Sequence, residues 1–165
     1  MTNWYALYVR SKHEFVTTGE LSKKGIDVYL PSVQRWHQWR DRKKLVNSPL
    51  FPGYLFVNIP PEPEAFITVL KTRGAVTFIT LDHIQPTPIA AAEIETLKLL
   101  TLSGEEIDVY PHLKEGGRVR VKRGPLAGAV GIIARKEERY MLLVNVTLLG
   151  RSVGVRLYPG DVEVD

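Results

Sequence analysis

The chain has 165 residues, of which 44% are hydrophobic and 24% charged, and its formal net charge is +4. This composition is that of a folded domain and excludes a disordered tail, while the absence of cysteine excludes disulfides, thiolate metal sites and cysteine nucleophiles. No apolar stretch approaches the roughly 18 residues that a membrane span needs, and the first residues lack the pattern of a signal peptide. We therefore expect a cytoplasmic protein with no membrane partner, built as one domain or two small ones.

The charge is unevenly distributed along the chain. Residues 1–83 carry 11 basic and 7 acidic side chains, residues 84–112 carry 1 and 5, and residues 113–165 carry 10 and 6. The three parts therefore have net charges of +4, −4 and +4. This pattern predicts two basic bodies joined by an acidic connector, which permits a nucleic-acid partner without requiring one.

The chain opens with a predicted strand and helix. Aromatic and β-branched residues dominate 4–10, which is typical of a strand. Ser11 followed by Glu14 has the spacing of a capping box, and Gly25 is a C-terminal stop signal. These signals predict a helix over residues 12–24.

The next elements complete a small α+β pattern. Val28 and Leu30 alternate with Tyr29, which predicts a strand over 27–33 with one buried face. After the segments described below, residues 62–71 predict a short helix and 76–81 a strand. The order strand, helix, strand, strand, helix, strand predicts an α+β sandwich with an antiparallel sheet.

Residues 34–47 predict a projecting β-hairpin. Its basic side chains are Arg35, Arg40, Arg42, Lys43 and Lys44, interleaved with Trp36, His37 and Trp39. Cations neutralise phosphates and indole rings stack on unpaired bases, so one interpretation is contact with DNA or RNA. The other is a solvated tip whose two tryptophans pack on the base of the hairpin itself.

The segment SPLFPGYLFV (48–57) combines turn residues with a dense apolar strand. Alternation places Tyr54 and Phe56 on one face and Leu55 and Val57 on the other. In a two-layer sandwich only one face needs cover from the domain's own helices. The other face, extended by Tyr8, would suit the helices of a partner. The alternative is that both faces are core.

The second half of the chain predicts a helix, a linker and a small barrel. Residues 85–88 mark a boundary, 90–102 predict a helix, and the polar stretch after it a flexible linker. Five short Val-rich segments separated by glycines then predict an SH3-like β-barrel. The predicted domains are 1–103 and 113–165, with the linker at 104–112.

Two segments of this half allow a second interpretation. Residues 123–133 are glycine-rich but lack the ending of a phosphate loop, so Gly124, Gly128 and Gly131 are interpreted as turn and bulge positions. Residues 134–149 contain good helix formers and could form a helix instead of strands. Their valine and glycine content favours the barrel.

No catalytic or metal-binding pattern is present in the sequence. The histidines are His13, His37, His83 and His112, which are too scattered for a metal motif or a catalytic triad. We expect neither an enzyme nor a bound cofactor.

Taken together, the ordered motifs resemble the NusG family of transcription factors over nearly the whole chain. WYALYVRSKHE (4–14) resembles the opening strand of the family, PLFPGYLFV (49–57) its central FPGY motif, and TRGAVTFI (72–79) the end of its amino-terminal (NGN) domain. GGRVRVKRGPLAGAVGII (116–133) is similar to the family's KOW motif, and LLGRSVGVRL (148–157) to the end of its barrel. FPGY alone is weakly specific, whereas the ordered set is strong.

The resemblance implies a factor that docks on the clamp helices of RNA polymerase and promotes processive elongation and antitermination. The residues it implies for docking are Tyr8, Phe51, Tyr54 and Phe56, with Phe66 at the edge. Arg10 and Arg73, with Lys12 and Lys23 beside them, would face the non-template DNA strand. From the hairpin we add Arg40, Arg42 and Lys43 as nucleic-acid contacts.

Within the family the sequences PLFPGYLFV and TRGAVTFI resemble those of specialised paralogues of the RfaH, LoaP and UpxY type. One departure is Ala65, Phe66 and Ile67, which stand where RfaH has polar residues that contact the polymerase gate loop. Another is Leu149, which replaces an exposed phenylalanine of the NusG barrel.

The resemblance further implies a partner surface on the barrel, formed by Leu148, Leu149 and Arg151, for a small-subunit ribosomal protein or Rho. We expect a monomer. The alternative function is an RNA- or ribosome-binding KOW module.

Overall fold

The computed structural model describes residues 1–111, 117–136 and 139–165, and the chain divides into two compact units, residues 1–89 and 90–165. The elements of the first unit are β1 (Asn3–Val9), α1 (Glu14–Lys23), β2 (Asp27–Tyr29), β3 (Ser32–Trp39), β4 (Arg42–Pro49), β5 (Tyr54–Ile59), α2 (Pro63–Leu70), β6 (Ala75–Phe78) and β7 (Pro88–Ile89). Those of the second unit are α3 (Ala91–Leu102), β8 (Ile107–Pro111), β9 (Arg118–Val121), β10 (Val130–Lys136), β11 (Arg139–Val146), β12 (Arg151–Leu157) and β13 (Val162–Val164), with 3-10 turns at Thr147–Leu149 and Pro159–Asp161.

The first unit is built on an antiparallel sheet in the order β2-β5-β1-β6, with β7 also paired to β1. Strand β1 is central because its run of aromatic and aliphatic residues can be buried on both sides. The predicted α+β sandwich is confirmed.

One face of this sheet carries the hydrophobic core with α1 and α2. Along β1, Tyr5, Leu7 and Val9 point to this face, and Trp4, Ala6 and Tyr8 to the other, because side chains alternate along a strand. The core residues are Tyr5, Leu7, Val9, Leu21, Leu55, Val57, Ile59, Val69 and Phe78. The predicted alternation along the FPGY strand is confirmed, since Leu55 and Val57 lie in this core while Phe56 lies opposite Ala6 on the other face. The predicted openness of that other face is not confirmed at these positions, because Phe56 and Ala6 are buried as well.

The predicted hairpin is confirmed as a separate two-stranded sheet of β3 and β4. Its pairing runs from Ser32 opposite Pro49 to Trp39 opposite Arg42, which leaves Arg40 and Asp41 as a two-residue turn. Arg40 has a φ of 51°, the left-handed conformation that such tight hairpin turns require.

The predicted capping box at the start of α1 is wrong. The helix begins at Glu14, and His13 occupies the N-cap position without a side-chain hydrogen bond to the helix. In a capping box the Glu14 carboxylate would accept a hydrogen bond from the backbone N–H of the N-cap residue. Here it accepts one from the distant Gly53 N–H instead. The predicted stop at Gly25 is confirmed by its φ of 78° and by its N–H, which donates to the carbonyl of Ser22.

The second unit contains a six-stranded antiparallel sheet in the order β13-β9-β10-β11-β12-β8. The five strands predicted from the Val-rich segments are confirmed as β9 to β13. Residues 139–146, part of the stretch that could have been helical, form strand β11, which pairs with both β10 and β12. Residues 137–138 of that stretch lie outside the described residues.

The predicted flexible linker requires correction. Residues 107–111 form strand β8, which pairs with β12 from Ile107 opposite Val155 to Pro111 opposite Arg151. Residues 112–116 lie outside the described part of the chain. The predicted boundary at residue 103 would place α3 in the first unit. The structure divides after residue 89 instead, so α3 belongs to the second unit.

Asp165 joins the ends of β9 and β13. Its carboxylate accepts hydrogen bonds from Arg118 Nε at 2.7 Å and from Arg120 Nη2 at 3.0 Å. The Arg118 hydrogen bond is the largest cause that lowers the pKa of Asp165; desolvation opposes it, and the Arg120 hydrogen bond adds to the lowering. The bridge therefore persists to lower pH than an isolated aspartate would allow.

Candidate functional site

Two turns of the first unit are fixed to the end of β1, and we call this region the turn junction (residues 9–14, 51–54 and 72–75). The Val9 N–H donates to the Gly53 carbonyl at 2.8 Å, and the Arg10 N–H donates to the Gly74 carbonyl at 2.8 Å. Thr17 Oγ1 donates to the Arg73 carbonyl at 2.8 Å, which ties the second turn to α1 as well. Residues far apart in sequence are thereby held at one end of the sheet.

Glu14 is the buried acid of the turn junction. It is 6% exposed, and its Oε2 accepts a hydrogen bond from the Gly53 N–H at 3.1 Å. Because the Gly53 carbonyl accepts from Val9, both backbone polar groups of this glycine are bonded. The FPGY turn is therefore held from α1 and from β1 together.

We expect Glu14→Ala to lower the free energy of unfolding by about 1–3 kcal/mol, because the buried Gly53 N–H loses its acceptor. Glu14→Gln keeps an amide oxygen in reach and should cost less. Urea unfolding of the full chain measures both. Glu20→Ala is the control on the same helix, since the Glu20 carboxylate pairs with an exposed Lys23 and contributes little. A loss as large for Glu20→Ala would show that the Gly53 contact is not the cause.

Tyr8 and Tyr54 form an open aromatic pair beside the turn junction. They are directly opposite each other in the β1–β5 ladder, and their ring centroids are 5.5 Å apart. Tyr8 is 40% exposed and Tyr54 is half-buried. The Tyr8 ring lies over Gly53, where a Cβ would come within 3.2 Å of Tyr8 Cε2. We call these two residues the tyrosine pair.

The other predicted docking residues do not form an open surface with the tyrosine pair. Phe51 and Phe56 are both buried, and the Tyr29 ring stacks beside Phe56 of strand β5 at a centroid distance of 6.3 Å. Phe66 lies on the opposite side of the sheet, where its ring packs edge-on against Tyr5 at 5.2 Å and Phe78 at 5.4 Å. The prediction that placed Phe66 at the edge of the docking surface is therefore wrong.

Three of the four predicted DNA-facing cations come together. Arg10, Lys12 and Arg73 are exposed, and all three belong to the turn junction. Lys23 does not join them, because it lies at the other end of α1, about 15 Å along the helix, and forms an ion pair with Glu20 at 3.2 Å. The prediction that placed Lys23 beside them is corrected.

The predicted hairpin contacts are at its exposed tip. Arg40 lies in the turn, Arg42 is opposite Trp39, and Lys43 is opposite Gln38, all of them exposed. Trp36 and Trp39 are 68% and 65% exposed. The alternative interpretation, in which both tryptophans pack on the base of the hairpin, is therefore wrong.

The predicted partner surface of the barrel lies around the 3-10 turn Thr147–Leu149. Leu148 and Leu149 are half-buried, and Arg151 is the first residue of β12. The Thr147 N–H donates to Glu93 Oε1 at 2.8 Å, so the first turn of α3 is fixed to this part of the barrel. Sequence reasoning missed this contact, because 54 residues separate its two partners.

Within residues 1–111, 117–136 and 139–165, no group of three His, Asp or Glu side chains could hold a metal ion. The helices of the same residues include none with the length and apolar character of a membrane span.

Comparison with known proteins decides the family. The family model described as "Transcription termination factor nusG" matches residues 2–98. The chain belongs to the NusG family. It is 29% identical over 168 residues to the transcription termination/antitermination protein NusG of Bacillus subtilis (strain 168), a match that covers 94% of each chain.

Further relatives extend this likeness to both units. The NusG protein of Borreliella burgdorferi is 27% identical over 173 residues, covering 93% of this chain and 94% of its own. A solved structure that describes domain interaction in Thermotoga maritima NusG matches with a TM-score of 0.55 and 26% identity, covering 99% of this chain and 97% of that one. The predicted fold class and the predicted resemblance to the NusG family are confirmed.

Proposed function

We propose that this chain is a transcription elongation and antitermination factor that binds RNA polymerase. The observation that carries the proposal is its similarity, over nearly the full length of both chains, to proteins named for transcription termination and antitermination. A factor of this kind needs no catalytic group and acts in the cytoplasm.

The tyrosine pair is the docking element of this proposal, and the clamp helices of the polymerase are its target. Aromatic side chains that are open on one side and supported on the other are typical of residues that dominate a protein interface. Tyr8 and Tyr54 meet this description, since the pair lies on the sheet face away from the core and is backed by the turn junction. Phe51 and Phe56 support the strand from buried positions and make no direct contact.

The cations of the turn junction face the non-template DNA strand. Tyr8 is two residues from Arg10, and Arg73 adjoins the Gly74 carbonyl that receives the Arg10 N–H. One bound orientation therefore presents both the tyrosine pair to protein and Arg10, Lys12 and Arg73 to DNA. Positive charge at this place neutralises phosphate without reading sequence.

The chain acts as a monomer and as a specialised paralogue of the RfaH, LoaP and UpxY type. The amino-acid sequences of its FPGY and TRGAVTFI segments support the assignment to these paralogues. Leu148, Leu149 and Arg151 offer a separate surface for a small-subunit ribosomal protein or Rho.

Transcription in vitro tests the proposed function. The template carries a strong pause and an intrinsic terminator, and the polymerase comes from the organism that supplies the chain. We expect the full chain to shorten the pause and raise read-through of the terminator. Unchanged pausing and unchanged read-through at saturating protein would refute the proposal.

A further inference from the structure

The hairpin of β3 and β4 has two chemically different faces. Directly opposed residues of an antiparallel pair lie on the same face, and successive residues alternate between faces. The register therefore assigns each paired residue of the hairpin to one of the two faces. One face, here the Trp39 face, carries Arg35, His37, Trp39, Arg42 and Lys44, with Val46 opposite Arg35. The other, here the Trp36 face, carries Trp36, Gln38, Lys43 and Leu45, with the Gln34–Asn47 pair nearer the base. Three permanent cations are thus on the first face and one on the second.

The charges of the Trp39 face are available to a ligand. No carboxylate among the described residues forms an ion pair with Arg35, Arg42 or Lys44. The hairpin's one acidic residue, Asp41, lies in the turn beyond the last pair of the ladder. This face therefore holds a concentrated, uncompensated positive charge around an indole.

The indole of Trp39 is open as well. It is 65% exposed, and its directly opposed neighbour is Arg42. A large aromatic surface that stays in water at the tip of a hairpin contributes little to the stability of the chain. A stacking partner would bury that surface.

We propose that the Trp39 face binds single-stranded nucleic acid, with Trp39 stacked on an unpaired base and Arg35, Arg42 and Lys44 on the phosphates. Residues two apart on one strand face are separated by about 7 Å, which is on the scale of one nucleotide of an extended strand. Cations and an aromatic ring alternating at this interval are the elements of known single-strand platforms.

The same elements disfavour a duplex as the ligand. Base faces inside a duplex are covered by their neighbours, so an exposed indole gains nothing there that its cations do not already supply. Unpaired DNA and unpaired RNA share the required chemistry. The inference rests on the proposed function, because a transcribing polymerase supplies unpaired strands, but its test needs no polymerase.

The test compares two tryptophans of one hairpin. The full chain is titrated into a labelled single-stranded DNA of about 12 nucleotides and mixed sequence, and binding is followed by fluorescence anisotropy. We expect Trp39→Ala to weaken binding by about 5- to 100-fold and Trp39→Phe to retain most of it. Trp36→Ala is the matched control, with the same residue type and nearly the same exposure on the other face, and should change binding less than about twofold.

The charges are tested through salt. Arg42→Ala and Lys44→Ala should each reduce the slope of log K against log salt by about 0.7, the value for one phosphate contact on a single strand. Glu64→Ala, an exposed substitution on α2, should leave the slope unchanged. Circular dichroism of every variant verifies that the fold is retained.

Further ligands separate the outcomes. RNA of the same sequence identifies which single strand is preferred, and sensitivity to Trp39→Ala with either one supports the inference. Binding of a duplex of that sequence should not change on Trp39→Ala. The inference is overturned if the wild-type chain does not bind the single strand, if Trp36→Ala weakens binding as much as Trp39→Ala, or if Trp39→Ala leaves binding to the single strand unchanged.

Failure of the inference and failure of the proposed function remain distinguishable. Single-strand binding that depends on Trp39, together with unchanged pausing, would refute the function alone. Altered pausing without such binding would refute the inference alone.

Discussion

Tyr54→Ala and Tyr8→Ala will each weaken binding of the chain to RNA polymerase by roughly 10- to 100-fold. Truncating an aromatic anchor at the centre of an interface typically costs 2 kcal/mol or more, which corresponds to about 30-fold in affinity. The two rings support each other at a centroid distance of 5.5 Å, so the loss of either one also leaves the other less fixed. Affinity is measured by titrating the labelled full chain with core polymerase.

The matched control is Tyr140→Ala in strand β11. Tyr140 is 40% exposed, as is Tyr8, but it belongs to the second unit. We expect it to change the affinity less than about twofold. Tyr8→Phe keeps the ring over Gly53 and should retain most of the binding. Equal losses from Tyr8→Ala and Tyr140→Ala, or unfolding of the tyrosine variants with unchanged affinity of the folded fraction, would contradict the docking assignment.

Gly74→Ala will lower the free energy of unfolding of the first unit by about 2–4 kcal/mol. Gly74 has a φ of 88°, which costs a side-chain-bearing residue about 1–3 kcal/mol. An added Cβ would also overlap Thr17 Oγ1 and lie 3.0 Å from His13 Cβ. Thr17 would have to turn away and give up its hydrogen bond to the Arg73 carbonyl, at a further cost of about 1 kcal/mol. Thermal unfolding should show a melting temperature lower by roughly 10 °C or more.

Gly19→Ala gives the same substitution with the opposite expectation. Gly19 lies inside α1, is exposed, and has no atom within 4 Å of an added Cβ. Alanine there should stabilise the chain by about 0.5–1 kcal/mol, because glycine is a poor helix former. If Gly74→Ala proved as harmless as Gly19→Ala, the packing of the 72–75 turn against α1 would not be as described.

Local patterns predicted the elements of this chain because most of their signals lie within a few residues. The alternation of Val28 and Leu30 with Tyr29 gave the correct buried face, since that depends only on the geometry of a strand. The Val-rich segments likewise predicted five strands of the second unit. The hairpin followed from its two strands and from a tip too charged to be buried.

Long-range contacts account for what the sequence did not predict. Glu14 matches a capping box by spacing, but its carboxylate is used by Gly53, 39 residues away. Helical spacing showed that Phe66 is on the apolar side of α2 without showing which face of the sheet that helix covers. Neither partner leaves a signal near the residue concerned.

The missed strand β8 had a signal that its surroundings obscured. Ile107 and Val109 alternate with Asp108 and Tyr110, which is the pattern of a strand, but the acidic and turn-rich residues before them favoured a linker. Pairing with β12 supplies the backbone hydrogen bonds that a short polar segment could not find alone.

The double anchoring of Gly53 has a mechanical meaning for any partner held by Tyr54. A force on that side chain passes through the Gly53 N–H to Glu14 on α1 and through the Gly53 carbonyl to Val9 on the central strand. The load is therefore shared between a helix and the middle of a sheet. The turn separates from the domain only when both hydrogen bonds of Gly53 are broken.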